Sequence, residues 1–571
     1  MSKVFSFYVV MLLSCLPFLA SAQSPFFHYF QDSLKPGHRI SGSLDSTDRA
    51  ISGYQSTLPD AWLTNNQLFT PQLLLGQDPS EMSQRYSSIA HVGLFYSMGS
   101  AANQPAGISY TQQVNKKLST QFDYRRNFSS ELLRNSGFES NYVQGSLRYL
   151  SPRIGSSLHV NFQSRQQNYN DGLLGDTLSL PEDDLIFQSV TRSGTKQTAK
   201  YARIRWRNYF SFTKDSLRKT GLFLTPELRI DNRKFQDDQI YSLYTTYNYD
   251  SLETNDYSEL RTFQLAAGYF NHSKKIQLEI GGDRTYWDFD NLTLHRDTTE
   301  WGINGRLLFQ FNSKLQFANK LRYTLTGAAG ELNYKGNVSW RSDKVKANAF
   351  FVFERQYPQQ FQRHYFGNHI SYDWNNKQLQ TTVSAGLWAD LKLGKVPVSA
   401  LVRWTNLQNH AWYLDSAWRQ DTLTNTQVLQ ANLRGDLSFK KLILQPSLHV
   451  AIAEKSFLPG YQAYLRFGFR GALFKAKKLQ TSIGIDAGYI GSYQLMDFDP
   501  MLHVYTFSST GKSFSAMPKL HVFANFDLGF FRWFLRVENI EQTFTKSNQQ
   551  LLGYPVVPLQ LRFGFSWDLF N

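Results

Sequence analysis

The sequence predicts an all-β fold, a transmembrane antiparallel β-barrel of about 22 strands (20–24) with short periplasmic turns and longer extracellular loops. Three observations carry that prediction. From Ser88 to Asn571, segment after segment alternates apolar and polar residues over roughly 9 to 13 positions, the length with which a tilted strand crosses a bilayer. Beyond the first 22 positions no apolar stretch approaches the roughly 20 residues of a membrane-spanning helix, which excludes a polytopic helical transporter. Tight turn signals and long polar stretches take turns along the chain, as they do when connections segregate to opposite rims of a cylinder.

The elements follow in chain order. Residues 1–22 read as a signal peptide: Lys3, an apolar run from Val4 to Leu19, then Ala20-Ser21-Ala22 before Gln23. Leu12-Leu13-Ser14-Cys15 resembles a lipoprotein signal, but the apolar run continues past Cys15 through Leu16-Pro17-Phe18-Leu19. Cys15 is the only cysteine, so nothing downstream can form a disulfide or a thiolate metal site. Residues 23–87, with Pro25, Pro36, Pro59, Pro71 and Pro79, read as an N-terminal periplasmic or lumenal segment, and residues 88–571 as the barrel.

Within the barrel the period is two. Leu559, Leu561, Phe563, Phe565, Trp567 and Leu569 fall on one face, and Gln560, Arg562, Gly564, Ser566 and Asp568 on the other. The same rhythm runs through Leu118–Arg125, Leu158–Arg165, Gln430–Leu437 and Leu520–Asp527. Val114–Lys117, Leu150–Arg153, His272–Lys275, Phe311–Lys314 and Phe439–Lys441 read as tight turns on one rim. Gln166–Gln197, Asp231–Glu259 and Gly491–Ser515 read as loops on the other. A soluble sandwich also alternates, yet a chain this long would divide into domains, and no linker interrupts the pattern. Tyr124, Tyr149, Trp206, Trp340, Trp374, Trp404, Trp533 and Trp567 stand at strand ends on the apolar face, as interfacial girdles require.

The segments Tyr96-Ser97-Met98-Gly99-Ser100, Tyr110-Thr111-Gln112-Gln113, Arg134-Asn135-Ser136-Gly137, Leu147-Arg148-Tyr149, Asn170-Asp171-Gly172-Leu173-Leu174-Gly175-Asp176, and the tail Gly553-Tyr554-Pro555 with Arg562 to Asn571 stand out as motifs. Together they resemble the putative porin family of Bacteroidota outer membranes. The family's Leu-Gly-Asn-Leu-Gly-type segment is present only as Leu74-Leu75-Gly76-Gln77. The resemblance implies a single-chain outer-membrane barrel with porin-like transport, and carries no catalytic residue with it.

The polar face is where solute chemistry belongs. Arg203, Arg205 and Arg207 alternate with Ala202, Ile204 and Trp206, so the three guanidinium groups share a face. That face cannot meet lipid, where each cation costs roughly 2–4 kcal/mol at the midplane. Lys320, Arg322, Lys335, Arg341, Arg434, Asp436, Arg466, Arg470, Arg532, Arg536 and Glu538 are further lumen-lining candidates, with Glu227 and Glu279 as cross-strand partners. The expected function is passive diffusion of small hydrophilic solutes through a polar, basic-leaning lumen. A TonB-linked or secretion-associated barrel is the runner-up, because residues 23–87 are short for a plug domain, and a scaffold or adhesin barrel with a closed lumen is third. The last strand, Leu561, Phe563, Phe565, Trp567, Leu569 and Phe570, reads also as the signal that barrel-insertion machinery recognises by strand pairing.

Catalysis has no foothold in the sequence. No His-Glu-x-x-His, Gly-x-Ser-x-Gly, phosphate-binding loop or dinucleotide fingerprint is present, so no enzyme, cofactor or metal is expected. His364 and His369 read as rim histidines, and Glu182-Asp183-Asp184, Asp237-Asp238 and Asp497-Phe498-Asp499 as solvated loop acids rather than calcium ligands. The net charge of +15 is spread singly among the strands, with no basic block for nucleic acid. Outer-membrane lipid and lipopolysaccharide are the expected surroundings and partners.

Overall fold

Alternation alone does not separate a barrel from two stacked sheets; strand pairing does. The computed structural model describes residues 89–571 except 100–103, 131–132, 174–188, 215–217, 239–245, 375–376, 395, 415–416, 421–424, 454–458, 477, 503, 508–510, 545–548, 552, 556–557 and 571. The signal peptide 1–22, the segment 23–87 and the acidic run Glu182-Asp183-Asp184 therefore lie outside the described residues.

One 22-stranded sheet forms the wall. Its strands are β1 His91–Gly99, β2 Ala106–Gln113, β3 Leu118–Ser129, β4 Phe138–Leu150, β5 Ile154–Tyr169, β6 Thr195–Ser211, β7 Arg218–Asp237 and β8 Thr254–Ser273. They continue as β9 Ile276–Asn291, β10 Leu294–Gln310, β11 Leu315–Thr326, β12 Leu332–Arg341, β13 Val345–Gln356, β14 Gln380–Leu393 and β15 Val396–Gln408. The last seven are β16 Asn425–Gly435, β17 Leu442–Ala453, β18 Tyr461–Ala472, β19 Gln480–Ile490, β20 Met517–Asp527, β21 Phe531–Glu538 and β22 Gln560–Phe570. Each strand pairs antiparallel with the next. β1 then pairs with β22 along its whole length, from His91↔Phe570 to Gly99↔Arg562, so the sheet closes on itself and has no edge.

Closure gives the two-residue rhythm its meaning. On β22, Leu561, Phe563, Trp567 and Leu569 are exposed on the outside, while Arg562, Ser566 and Asp568 are buried inside. On β6, Ile204, Trp206 and Phe210 point outward and Arg203 inward. The inside also accommodates aromatic rings lying across glycines of the neighbouring strand. A Cβ on Gly564 would sit 2.6 Å from the Phe534 ring, and one on Gly386 2.5 Å from the Phe350 ring. These glycines let the sheet bend tightly enough to close while the ring covers the exposed backbone.

The turns segregate as expected. At one rim Asn115 Oδ1 accepts hydrogen bonds from the Lys117 and Leu118 amides at 2.9 and 3.0 Å. Asn312 does the same for Lys314 and Leu315 at 2.8 Å. Ser151, Ser273 and Ser342 hydroxyls accept from the amide three residues on at 3.0 to 3.1 Å. A short polar side chain that replaces a backbone partner is why these tetrapeptides turn.

Two expectations about the wall need correction. The stretches Gln166–Gln197 and Asp231–Glu259 are largely strand: β5 runs to Tyr169, β6 starts at Thr195, β7 runs to Asp237 and β8 starts at Thr254. With 20 residues each, β7 and β8 rise about 50 Å when tilted, roughly twice the apolar band. Above that band their outer face turns polar, with Asn232 and Tyr257 both donating to Glu259 at 2.9 and 2.6 Å, and that polarity imitates a loop. Trp374 is the second correction. It follows the short strand Ser371–Asp373 inside the loop after β13, where its amide donates to Arg363 O at 2.7 Å, so it belongs to no girdle.

Leu433 stands outward on β16 and is 52% exposed. Leu433→Arg is expected to lower unfolding stability in lipid by about 2–4 kcal/mol. Asn432→Arg, one position along and facing inward, should cost much less; urea titrations in vesicles read both.

Candidate functional site

The lumenal wall is built from the inward positions of the strands, and its charges are mostly answered by one another. Arg203 Nε and Nη2 each donate to Glu227 on β7 at 3.1 Å, and Arg205 Nε lies 3.4 Å from the same carboxylate, which Arg229 also engages. Arg207 reaches Glu279 on β9, which also accepts from Tyr209 at 2.8 Å and lies 3.1 Å from His272 Nε2. Arg322 on β11 holds Asp283 on β9 at 2.9 Å, and Asn304 and Gln264 each donate to that carboxylate at 3.0 Å. Lys335 pairs with Glu354 at 2.6 Å.

A second network lines β18 to β22 and continues to β1. Asp486 lies between Arg466 and Arg536, 2.8 Å from each, and Glu538 between Arg536 and Arg562 at 3.4 and 3.0 Å. Arg536 and Arg562 are fully buried. Asp568 then links Arg532 at 3.6 Å to His91 at 3.3 Å, tying β21, β22 and β1 together across the seam.

Of the sequence-derived candidates, Glu227, Glu279 and Glu538 do pair across strands. Asp436 is displaced: it lies past the end of β16 in the periplasmic turn, where it accepts from the Ser438 amide at 3.0 Å and from Gln445 Nε2 at 3.2 Å. Arg341, Arg434 and Arg470 sit at inward positions toward the same rim. Arg306, Lys320 and Lys335 are register partners across β10, β11 and β12 and put three cations in one inward row. Reasoning on single strands missed Asp283, Asp486 and Glu354, although each holds an inward position in an alternating strand, and it put Asp568 on the polar face of the last strand without naming its partners.

The extracellular mouth is bridged by loops that fold inward. The loop after β13 carries a helical turn, Gln360–Arg363, and a hairpin of His364–Phe366 with Ser371–Asp373. Phe361 packs edge-on against Phe289 of β9 at 5.5 Å, under the Arg233 guanidinium 3.7 Å above its ring. Asp256 of β8 accepts from Tyr365 at 2.7 Å and from the Asn368 amide at 2.8 Å. The loop between β19 and β20 crosses almost the full width of the barrel, and its Pro500 carbonyl accepts from Gln197 of β6. Tyr365, Tyr413 and Leu502, one from each of three loops, bury one another with Tyr372 and Trp418 against them.

The loop motifs of the family resemblance meet at this mouth. Asn135 donates to the Tyr169 carbonyl at 2.6 Å, Asn170 to the Arg134 carbonyl at 2.8 Å, and the Leu173 amide to the Gly553 carbonyl at 2.9 Å. Gly172 has φ +78°, and a Cβ there would sit 2.6 Å from the Gly553 carbonyl oxygen, so only glycine fits. Asp237 and Asp499 are not solvated loop acids. Asp237 is buried 3.6 Å from Arg192, and Asp499 accepts from the Met501 and Leu502 amides at 2.9 and 3.1 Å. His369 ties the loop to Thr254 of β8, and His364 bonds Asp373 within the loop hairpin.

A closed 22-stranded cylinder, greasy outside and ionic inside, defines an outer-membrane β-barrel. The chain belongs to the family described as putative porin, which matches residues 89–571. Its fold is similar to that of the siderophore receptor PirA from Acinetobacter baumannii, at a TM-score of 0.58 and 10% identity over 85% of this chain and 81% of that one. It is similar also to the FrpB iron transporter from Neisseria meningitidis (TM-score 0.58, 10% identity, 85% and 83%) and to the copper transporter OprC (TM-score 0.60, 8% identity, 85% and 81%). No curated protein matches the chain in sequence.

Glu227→Gln removes the carboxylate that three arginines share. It should cost on the order of 3 kcal/mol of stability and shift the zero-current potential of reconstituted channels toward anions. Glu331, in the turn between β11 and β12, accepts from the Tyr357 amide at 2.9 Å where the mouth loop begins. Burial, aided by the nearby Glu300 charge, pushes its carboxyl up to about 7 against that hydrogen bond. A raised acid stabilises the fold while protonated, and that stability is lost as pH rises through about 7. Thermal melts should therefore fall between pH 5.5 and 8.5 in the natural protein, and Glu331→Gln should flatten this dependence.

Proposed function

We propose that this protein is a porin that lets small hydrophilic solutes diffuse through a polar, basic-leaning lumen. The observation that carries the reading is the inner wall itself, where charged groups recur from β6 round to β22, a surface that only water or hydrophilic solute can wet. Most of the cations are compensated, Lys335 by Glu354 among them, and the surplus of Lys and Arg over Asp and Glu along the chain supports a mild preference for anions. The bridged mouth restricts solute size more than the wide cylinder does.

A TonB-linked or secretion-associated role is the second reading, supported by the fold of the siderophore and metal receptors at the level of the barrel alone. Residues 1–22 direct export, the closing strand from Leu561 to Phe570 serves as the pairing signal for insertion machinery, and lipopolysaccharide surrounds the tall outer wall.

Liposome swelling with sugars of graded size separates the readings. A porin admits small sugars with a sharp upper limit, and a barrel that excludes even the smallest sugar does not function by diffusion. Replacing residues 494–512 with a short Gly/Ser link should raise that limit. Removing Leu561–Asn571 should abolish the heat-modifiable, folded band in outer-membrane fractions, and normal assembly of that truncation would remove the signal role of the strand.

A further inference from the structure

On the inner wall near the periplasmic rim, register sets Arg148 of β4 and Arg207 of β6 on either side of Ser157 of β5, all three facing inward. One rung toward the mouth the same register aligns Ser146, His159 and Arg205. Neighbouring strands lie about 4.8 Å apart, so the two flanking arginines start about 10 Å from one another with only a serine between them. His159 is within electrostatic reach of Arg148, Arg203, Arg205 and Arg207. The small side chains leave a recess with guanidinium groups at its sides and hydroxyls and an imidazole on its floor. Arg148, Ser157 and His159 are half-buried, and the Arg205 and Arg207 side chains keep 30% and 20% of their exposure, so the recess is open to the lumen.

Charge decides what such a recess takes. Glu227 is one carboxylate shared by Arg203, Arg205 and Arg229, and Arg203 takes both of its oxygens at 3.1 Å. Arg205 lies 3.4 Å from it, and its Nε finds no hydrogen-bond partner among the described residues. Glu279 answers Arg207 but also accepts from Tyr209 and lies 3.1 Å from His272. Positive charge therefore exceeds what these two carboxylates balance, and a solute with about two negative charges gains more here than a singly charged one. Geometry narrows the class further. Guanidinium groups converging from both sides of a single serine suit one compact group with several acceptor oxygens, which a phosphate monoester supplies and two separated carboxylates do not. We infer that this recess is a binding site for small solutes bearing a phosphate monoester, held by Arg148, Arg205 and Arg207 with the Ser157 hydroxyl beneath. The inference deepens the porin reading, on which it rests for the route that brings the solute to the site.

Saturation-transfer NMR on the full barrel in nanodiscs reads binding without requiring transport. Glucose 6-phosphate should bind at least about tenfold more tightly than glucose, and inorganic phosphate should displace it at about tenfold lower concentration than succinate does. Arg205→Gln should weaken glucose 6-phosphate binding about tenfold. Ser157→Asp, which keeps every arginine but sets a carboxylate between Arg148 and Arg207, should weaken it at least as much. Arg434→Gln removes the same charge from β16, eleven strands round the wall, and should leave binding unchanged. Folding of each variant is confirmed by heat-modifiable gel mobility. Glucose binding as tightly as its phosphate, succinate competing as well as phosphate, unchanged binding in folded Ser157→Asp, or an equal loss in Arg434→Gln would each overturn the assignment. A barrel that binds glucose 6-phosphate in this way yet admits no sugar into liposomes would remove diffusion and leave the site standing.

Discussion

Hydrocarbon offers no hydrogen-bond partner, and this constraint governs everything else in the molecule. Every backbone amide and carbonyl within the membrane must be satisfied by another strand, and an open sheet always leaves two rows unsatisfied. The pairing of β1 with β22 removes them. Once the sheet is closed, side-chain direction is fixed by parity, so the identity of each alternate residue sorts into lipid or lumen with no further choice. The seam is also fastened from within, since Arg532, Asp568 and His91 connect three strands across it.

Closing a wide cylinder creates the second problem, which is what to do with an interior too broad for side chains to fill. The wall answers with ion pairs that lie along its own surface rather than reaching across. Glu227 collects three arginines, and Asp486 and Glu538 alternate with arginines in a chain. Such pairing keeps long basic side chains flat against the wall and lowers the net field that a passing solute meets. The mouth is treated differently, because its loops bring aromatic residues inward and bury them against one another instead of against lipid.

Much of this was legible in the chain. Parity placed Arg203, Arg205 and Arg207 together, and Asn or Ser with Lys marked the tight turns, because both are local effects of backbone geometry. The strand count followed from the repeat. What local pattern could not show was height and convergence. Asn232, Tyr257 and Glu259 read as loop because their outer face is wet, yet they extend strands above the membrane. Trp374 has the residue type of a girdle but lies in a loop, and nothing within a few residues of it distinguishes the two. Asp283 and Asp486 gained their partners from the register of neighbouring strands, which sets Arg466 beside Asp486 and brings Arg322 to Asp283 from two strands away. The meeting of Gly172 with Gly553 joins parts of the chain separated by almost 400 residues, far beyond any periodicity.

The unequal length of the strands leaves the cylinder cut obliquely. β1, β2 and β21 have eight or nine residues and barely clear the bilayer, while β7 and β8 have 20. Seen from outside the cell, the strands of one flank stand as a parapet and those beside the seam end low, with the connection between β21 and β22 rising above them to meet Gly172. Antibodies and bacteriophages approaching the surface would meet the parapet first, and sequence change driven by such encounters should concentrate on its outer crest, leaving the low flank beside the seam little altered.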